Sequence, residues 1–308
     1  MTQSRINSDA INRLNSIETS PFNASAEWVA SLPTRYITEM YRQKCGVDIL
    51  AAFGNVGEIH LYECEATGMG FWRPTSVAGD ENFYRILSAA WPNYYRTERW
   101  EYSHVRKILR SSMKVLEVGS GRGYFLKSIE GSVADALGLE LNQEAISTKA
   151  TTFDVHAKVI EEVAELQPAS FDVVCSFQVI EHVPDPARFI ESCLASLKPG
   201  GLLILSTPNH DFPFLRAHGD AFDLPPHHLN YFTVDVYLRI AKHYGLDVMC
   251  IRCEPRVFEF DPVTEHTRNS LPYRLARRGM GALMNRVYTH LAEPGPNILA
   301  VLMKNPLR

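Results

Sequence analysis

The chain has 308 residues, 45% of them hydrophobic, and a formal net charge of −4. That length buries one large core plus a smaller unit, and the lack of any Lys/Arg block argues against a dedicated nucleic-acid binder, whose affinity comes mainly from neutralising phosphates. The first twenty residues are polar rather than signal-like, and no window approaches the roughly 18 consecutive apolar residues of a membrane span, so a cytoplasmic protein is expected. The six cysteines, at 45, 64, 175, 193, 250 and 253, are scattered, several inside apolar runs, which suits reduced, packed thiols.

In chain order, residues 1–95 read as an appendage without a sustained βα rhythm. It has a polar leader, a predicted helix around "TRYITEMYRQKCG" and a short strand or hairpin in "GEIHLYECEATGMGFWRP". A second domain, 96–308, opens where Trp100, Val105, Ile108 and Leu109 fall near helical spacing. Strands and helices then alternate: "KVLEVG", "GYFLKSIE", "ADALGLEL", "NQEAISTKA", "VHAKVI", "FDVVCSFQVI", "DPARFIESCLASL" and "LLILSTP". Such βα units predict a parallel sheet with helices on both faces, and the Gly200–Gly201 pair a helix stop. Residues 209–232, rich in Pro, His and Asp, are too long for an ordinary connection and predict a lid. Thr233 and Gly245 look like the caps of the helix "VDVYLRIAKHYG", followed by the strands "LDVMCIRC" and "NILAVLMKN", with a helical insertion at about 266–292 between them.

In "VLEVGSGRG", Gly119, Gly121 and Gly123 let the chain turn out of a strand and bring a ligand against bare backbone. A dinucleotide fingerprint needs G-x-G-x-x-G/A, whereas this spacing is G-x-G-x-G with Tyr124 next. Glu140, about twenty residues on at the end of "GLEL", stands where a carboxylate accepts ribose hydroxyls.

"VLEVGSGRG", "LGLEL", "FDVVCSFQVIEHVPDP" and "LKPGGLLILSTPN" resemble successive motifs of class I S-adenosylmethionine-dependent methyltransferases across roughly residues 100–255. The resemblance implies an α/β, Rossmann-like fold: a seven-stranded, mostly parallel sheet of order 3-2-1-4-5-7-6, strand 7 antiparallel, with the cofactor S-adenosylmethionine at the carboxyl ends of the strands. It places Glu117, Gly119, Ser120, Gly121 and Gly123 along the cofactor, Glu140 and Leu141 at the ribose, Val159 and Ile160 at the adenine, and Phe177 and Gln178 beside the reactive methyl. "FQVIEHVPDP" is closest to a branch reading "EVLEHV" or "QVLEHV", which includes ubiquinone-pathway O-methyltransferases and many glycan-tailoring enzymes. Glu181 and His182 are thereby active-site candidates. Some relatives bind a divalent cation through acidic residues here, but Gln178 is neutral, and no metal is expected.

The appendage resembles the zinc ribbon of sugar-modifying methyltransferases with half its ligands gone. Arg42-x-x-Cys45-Gly46 and Cys64-x-x-Thr67-Gly68 leave two thiols where zinc needs four donors, with His60 outside either knuckle. Methyl transfer to an alcohol needs a base for the departing proton, and His228, His227 and His182 are the candidates in that order, with Asp223 or Glu181 as orienters. The ribbon relic and polar lid favour O-methylation of a glycan or other small polar acceptor. The alternatives are a quinone or phenol hydroxyl, a sugar carbon, or cofactor binding without turnover.

Overall fold

A computed structural model describes residues 18–91, 94–211, 220–255 and 295–306. It begins with β1 (Glu18–Thr19), β2 (Ser25–Pro33), α1 (Thr34–Cys45), β3 (Glu58–Cys64), β4 (Gly70–Arg73), α2 (Glu81–Ala90) and α3 (Trp100–Arg106). The βα alternation follows as β5 (Lys114–Val118), α4 (Tyr124–Ser128), β6 (Asp135–Leu139), α5 (Gln143–Ser147), β7 (Asp154–His156), α6 (Ile160–Leu166), β8 (Phe171–Phe177), α7 (Pro186–Ser196) and β9 (Leu197–Pro208). Then come β10 (Asn230–Tyr231), α8 (Val234–Tyr244), β11 (Asp247–Cys253) and β12 (Asn297–Met303). The suggested insertion at 266–292 lies outside the described residues, as do the polar leader through residue 17 and positions 212–219 of the suggested lid.

The larger sheet runs β11-β12-β9-β8-β5-β6-β7, with β12 antiparallel to both neighbours. Counted along its own strands this is 3-2-1-4-5-7-6, the order the motifs imply. Both faces are covered, so its strands contribute alternate residues to two cores. Leu116, Val174, Leu203, Leu205 and Ala300 enter one, and Val115, Val173, Cys175, Ile204 and Val301 the other. Thr233 caps α8 by accepting from the Val236 N–H, and Gly245 closes it in the left-handed region. β9 starts at Leu197, ahead of the glycine pair expected to separate helix from strand, and its pairing with β8 shifts register between Phe171 and Val173. Among the described residues no helix is long and apolar enough to cross a membrane.

The smaller sheet, β1-β2-β3-β4-β10, contains the expected β3–β4 hairpin and adds β2, which the sequence reading left inside the polar leader. Its alternation is broken by a register shift between Trp28 and Ala30, and Val29 faces solvent. The last strand, β10, comes from the far end of the presumed lid and pairs with β4. The two sheets share a core: Tyr62, Met69 and Phe71 cluster with Leu116, Leu205, Phe232 and Tyr237. Phe232 is fully buried and stacks on Tyr237 at 5.4 Å between centroids. Phe232→Ala is expected to cost about 3–5 kcal/mol in urea unfolding, while a loss under about 1 kcal/mol would contradict a shared, close-packed core.

Candidate active site

A cavity of about 890 Å³ opens over the carboxyl ends of β5, β6 and β8, the place a doubly wound sheet offers a ligand. Its floor is the loop after β5. The Gly119 and Ser120 N–H groups donate to the Leu139 carbonyl at 2.8 and 2.9 Å, folding the loop over the end of β6. Gly119 and Gly123 have φ of 74° and 71°, and a Cβ there would lie 2.4 Å from Val179 and 2.7 Å from Thr151. These two positions require glycine on both counts. A Cβ on Gly121 would sit 3.0 Å from the Tyr95 ring, on the wall of the same cavity.

Glu140 is held on both oxygens by backbone, accepting from Gly121 N–H and Asn142 N–H at 2.8 Å each. A carboxylate has lone pairs to spare beyond two such bonds, which leaves acceptors for a diol. Leu141 and Val159 lie exposed at the rim, Ile160 is buried at the start of α6, and Phe177 and Gln178 end β8. The structure therefore brings the motif-derived residues to one cavity, except Gly123, which shapes the loop without lining it. Gln178 is left-handed, φ 58°, and its carboxamide donates to Ser206 Oγ at 3.2 Å. Glu117 is buried beneath the loop with Oε2 lacking any partner, and burial, reinforced by Glu140, pushes its carboxyl well above the usual range.

These features fit S-adenosylmethionine. The bare loop admits the ligand against backbone, Glu140 can take a ribose diol, and an orphaned buried carboxylate such as Glu117 is matched by a cationic amino group. When bound, the cofactor supplies an activated methyl on a sulfonium. The residues' part is to hold and align it.

Part of the cavity wall is aromatic: Tyr84 of α2, then Trp91, Tyr94, Tyr95 and Phe222, with Leu87 of α2 among them. Burial pushes the Tyr84 and Tyr94 phenols up, so they stay neutral. Sequence reasoning missed this wall, although "WPNYY" carries a visible concentration of aromatics. Three imidazoles close the end, with centroids 4.4–4.9 Å apart. His182 Nδ1 meets the His227 carbonyl at 2.6 Å and His227 Nδ1 the Phe222 carbonyl at 2.8 Å. A carbonyl only accepts, so both Nδ1 atoms carry the proton and both Nε2 atoms the lone pair. His228 Nδ1 meets Asp223 Oδ1 at 2.9 Å, and His210 Nε2 reaches the same oxygen at 3.1 Å. Burial pushes Asp223 up, but these two hydrogen bonds outweigh it and hold the carboxyl far below its usual range. Burial holds His182 neutral, down to about 3, and likewise lowers His227. Glu181 is fully buried with neither oxygen partnered, and burial pushes it up to about 8.

The two ribbon cysteines are not brought together. Cys64 belongs to the core shared by the sheets, where its Sγ donates to Ser20 Oγ, and Cys45 packs against the separate cluster around Tyr41. His60 meets Ser31 Oγ at 2.7 Å.

Sheet order and cradle together define a class I S-adenosylmethionine-dependent methyltransferase. A family model described as a methyltransferase domain matches residues 93–251, just over half of the chain, and the chain belongs to that family. It is similar to the ubiquinone biosynthesis O-methyltransferase of Paraburkholderia phymatum, 32% identical over 120 residues (37% of this chain, 50% of that protein). It is also similar to the enzyme of that name from Xanthomonas euvesicatoria, 36% identical over 118 residues (36% and 49%). The chain thus spans about half the length of the curated relatives it matches. Among solved structures, a SAM-dependent methyltransferase from Archaeoglobus fulgidus aligns with a TM-score of 0.48 at 21% identity, over 72% of this chain and all of that one.

Glu117 gives a pH-dependent test. Because its folded pKa is raised, the folded chain keeps a proton that the unfolded chain releases. Stability from this group is therefore complete below the ordinary carboxylate pKa and is lost as pH rises towards the folded value. Glu117→Gln is expected to raise the Tm of the ligand-free protein more at about pH 8 than at about pH 5, while weakening S-adenosylmethionine binding in calorimetry. A Tm difference that does not grow with pH would count against a proton held at Glu117.

Proposed function

We propose that the protein O-methylates a hydroxyl on an aromatic ring, with His228 as the base and Asp223 as its orienter. The observation that carries this reading is the aromatic wall formed by Tyr84, Trp91, Tyr94 and Phe222, which ends at the histidines. A planar phenol or quinol stacks on such a wall while its hydroxyl reaches the imidazole end. The printed names of the matched relatives, O-methyltransferases of ubiquinone biosynthesis, support the same acceptor class. A saccharide, the acceptor first suggested by the ribbon-like appendage, has no comparable support, because neither ribbon thiol contributes to the cavity.

In this reading the cradle fixes the methyl carbon, and the aromatic wall fixes the ring so that the oxygen approaches in line with the leaving sulfur. The O–H proton passes to His228 Nε2. The imidazolium that forms is stabilised by Asp223, which already accepts from His228 Nδ1. Cofactor binding and acceptor chemistry lie on different elements, so they separate under mutation.

Gly121→Val and Glu140→Ala are expected to weaken S-adenosylmethionine binding strongly in isothermal titration, and unchanged affinity in both would remove the assigned cradle. On a panel of phenols and catechols against nucleotide sugars and oligosaccharides, demethylated cofactor should accumulate with the ring hydroxyls. His228→Asn should lower that turnover roughly a hundredfold or more at unchanged cofactor affinity. Turnover confined to the sugars would reject the aromatic acceptor, and full activity in His228→Asn would reject the base.

A further inference from the structure

Among the described residues, His182, His227 and His228 are the one group of three or more His, Cys, Asp or Glu side chains placed closely enough to hold a metal ion, with one ligand atom from each within 4.8 Å of the others. They come from two segments: the turn Ile180–His182 after β8 and the loop ahead of β10. All three line the cavity.

Their remaining ring nitrogens are already committed. Nδ1–H of His182 and of His227 donate to backbone carbonyls, and Nδ1–H of His228 to the Asp223 carboxylate. Metal-bound histidines have this outer arrangement, in which the second nitrogen donates to a carbonyl or carboxylate and so fixes the tautomer and aim of the first. With Nδ1 committed in each ring, Nε2 is the nitrogen left to ligate. The Tyr94 hydroxyl stands 3.5 Å from His227 Nε2, at the limit of hydrogen bonding. Beside the cluster lies Glu181, wholly buried, with neither oxygen partnered and Oε1 3.9 Å from His182 Nε2. Three imidazoles and an unpartnered buried carboxyl thus stand together at this end of the cavity.

We propose that His182, His227 and His228 bind one first-row divalent cation of the zinc type, with an open coordination position facing the acceptor end of the cavity. Imidazole donors suit zinc, iron(II) or cobalt(II) rather than magnesium. Zinc–nitrogen bonds of about 2.0–2.1 Å put the ligand atoms of a tetrahedral ion roughly 3.3 Å apart, so closure from the observed spacing needs ring movements of about an ångström. Neither Gln178 nor an exposed acid takes part, so the acidic motif by which some relatives bind a cation is not the one used here.

The cation's role rests on the reading of this face as the acceptor side, whereas its binding does not. A hydroxyl bound at the open position loses its proton to water as the oxygen–metal bond forms. The oxygen then attacks the methyl carbon as the carbon–sulfur bond breaks and the neutral thioether leaves. Stripped of metal, the same cluster offers His228 as a free base; loaded, it has no imidazole to spare.

The test uses the full chain, stripped with a chelator, dialysed, and titrated with Co²⁺ in the visible range and with Zn²⁺ in a calorimeter, with no acceptor present. One equivalent is expected to bind with the absorption of a nitrogen-ligated cobalt site. His182→Asn and His227→Asn should abolish it, and Asp223→Asn should weaken it roughly 10- to 100-fold. Calorimetric S-adenosylmethionine affinity certifies that each variant is folded. Absence of saturable binding, or binding that survives both histidine substitutions, would overturn the site. Because no acceptor enters these measurements, a failure here leaves phenol turnover by the metal-free protein as a separate result.

Discussion

The histidine end of the cavity hangs on the main chain of Leu229. Its N–H donates to the Glu181 carbonyl at 2.7 Å, and its own carbonyl accepts from the Trp72 N–H at 2.8 Å. One peptide segment thus ties together the turn after β8, the histidine loop and the edge of the small sheet. Gly79 N–H to the Pro226 carbonyl, at 2.9 Å, and Asn230 Nδ2 to the Ile180 and Val183 carbonyls extend the same seam. Buried backbone groups must be paired, so any shift of the loop that breaks one of these bonds leaves others unsatisfied. The three imidazoles take their positions from that constraint. Their side chains only complete it, each Nδ1 turned to a neighbouring acceptor.

The two halves of the cavity meet their ligands by different physics. The cofactor half is mostly main chain: glycine φ values, carbonyl Leu139 and the backbone-bound carboxylate of Glu140. The histidine end is built of side chains that burial keeps uncharged, namely His182, His227, Tyr84 and Tyr94. Asp223 is the exception. It keeps its charge because two histidines donate to one of its oxygens, which outweighs its desolvation. A low-dielectric wall with one well-partnered anion concentrates electrostatic influence on the imidazole it touches.

Whereas the sheet order came only with the family resemblance of the motifs, the glycine loop, Glu140 and the caps of α8 were legible because each is a local requirement written in a few adjacent residues. The Pro-His-His segment could be singled out for the same reason. Its partner Asp223 was named, but the bridge from Asp223 to His210 was not, since it depends on how the loop folds back. β2 escaped because a register shift spoils its alternation. The aromatic wall escaped because Tyr84 and Tyr94 acquire meaning only when α2 packs beside a domain that begins later in the chain. Alternation located the β3–β4 hairpin, while the cysteines of the ribbon-like motifs ended in different clusters. With only two of four ligands, no metal was left to draw them together.

The pairing of β4 with β10 also fixes an order of events during synthesis. Phe71 is matched to Asn230 and Gly70 to Tyr231, so the small sheet cannot be closed when the amino-terminal residues leave the ribosome. Until the chain has been made past the histidine loop, β4 presents an open edge with unpaired amide and carbonyl groups, and the apolar side chains of Phe71 and Met69 lack the partners that later bury them. Contacts spanning so much sequence are slow to form, and the waiting intermediate exposes the features on which chaperones and aggregation both act. In this chain the strand that completes the appendage is also the strand that seats the histidines. Closure of the small sheet and assembly of the histidine cluster are therefore one event.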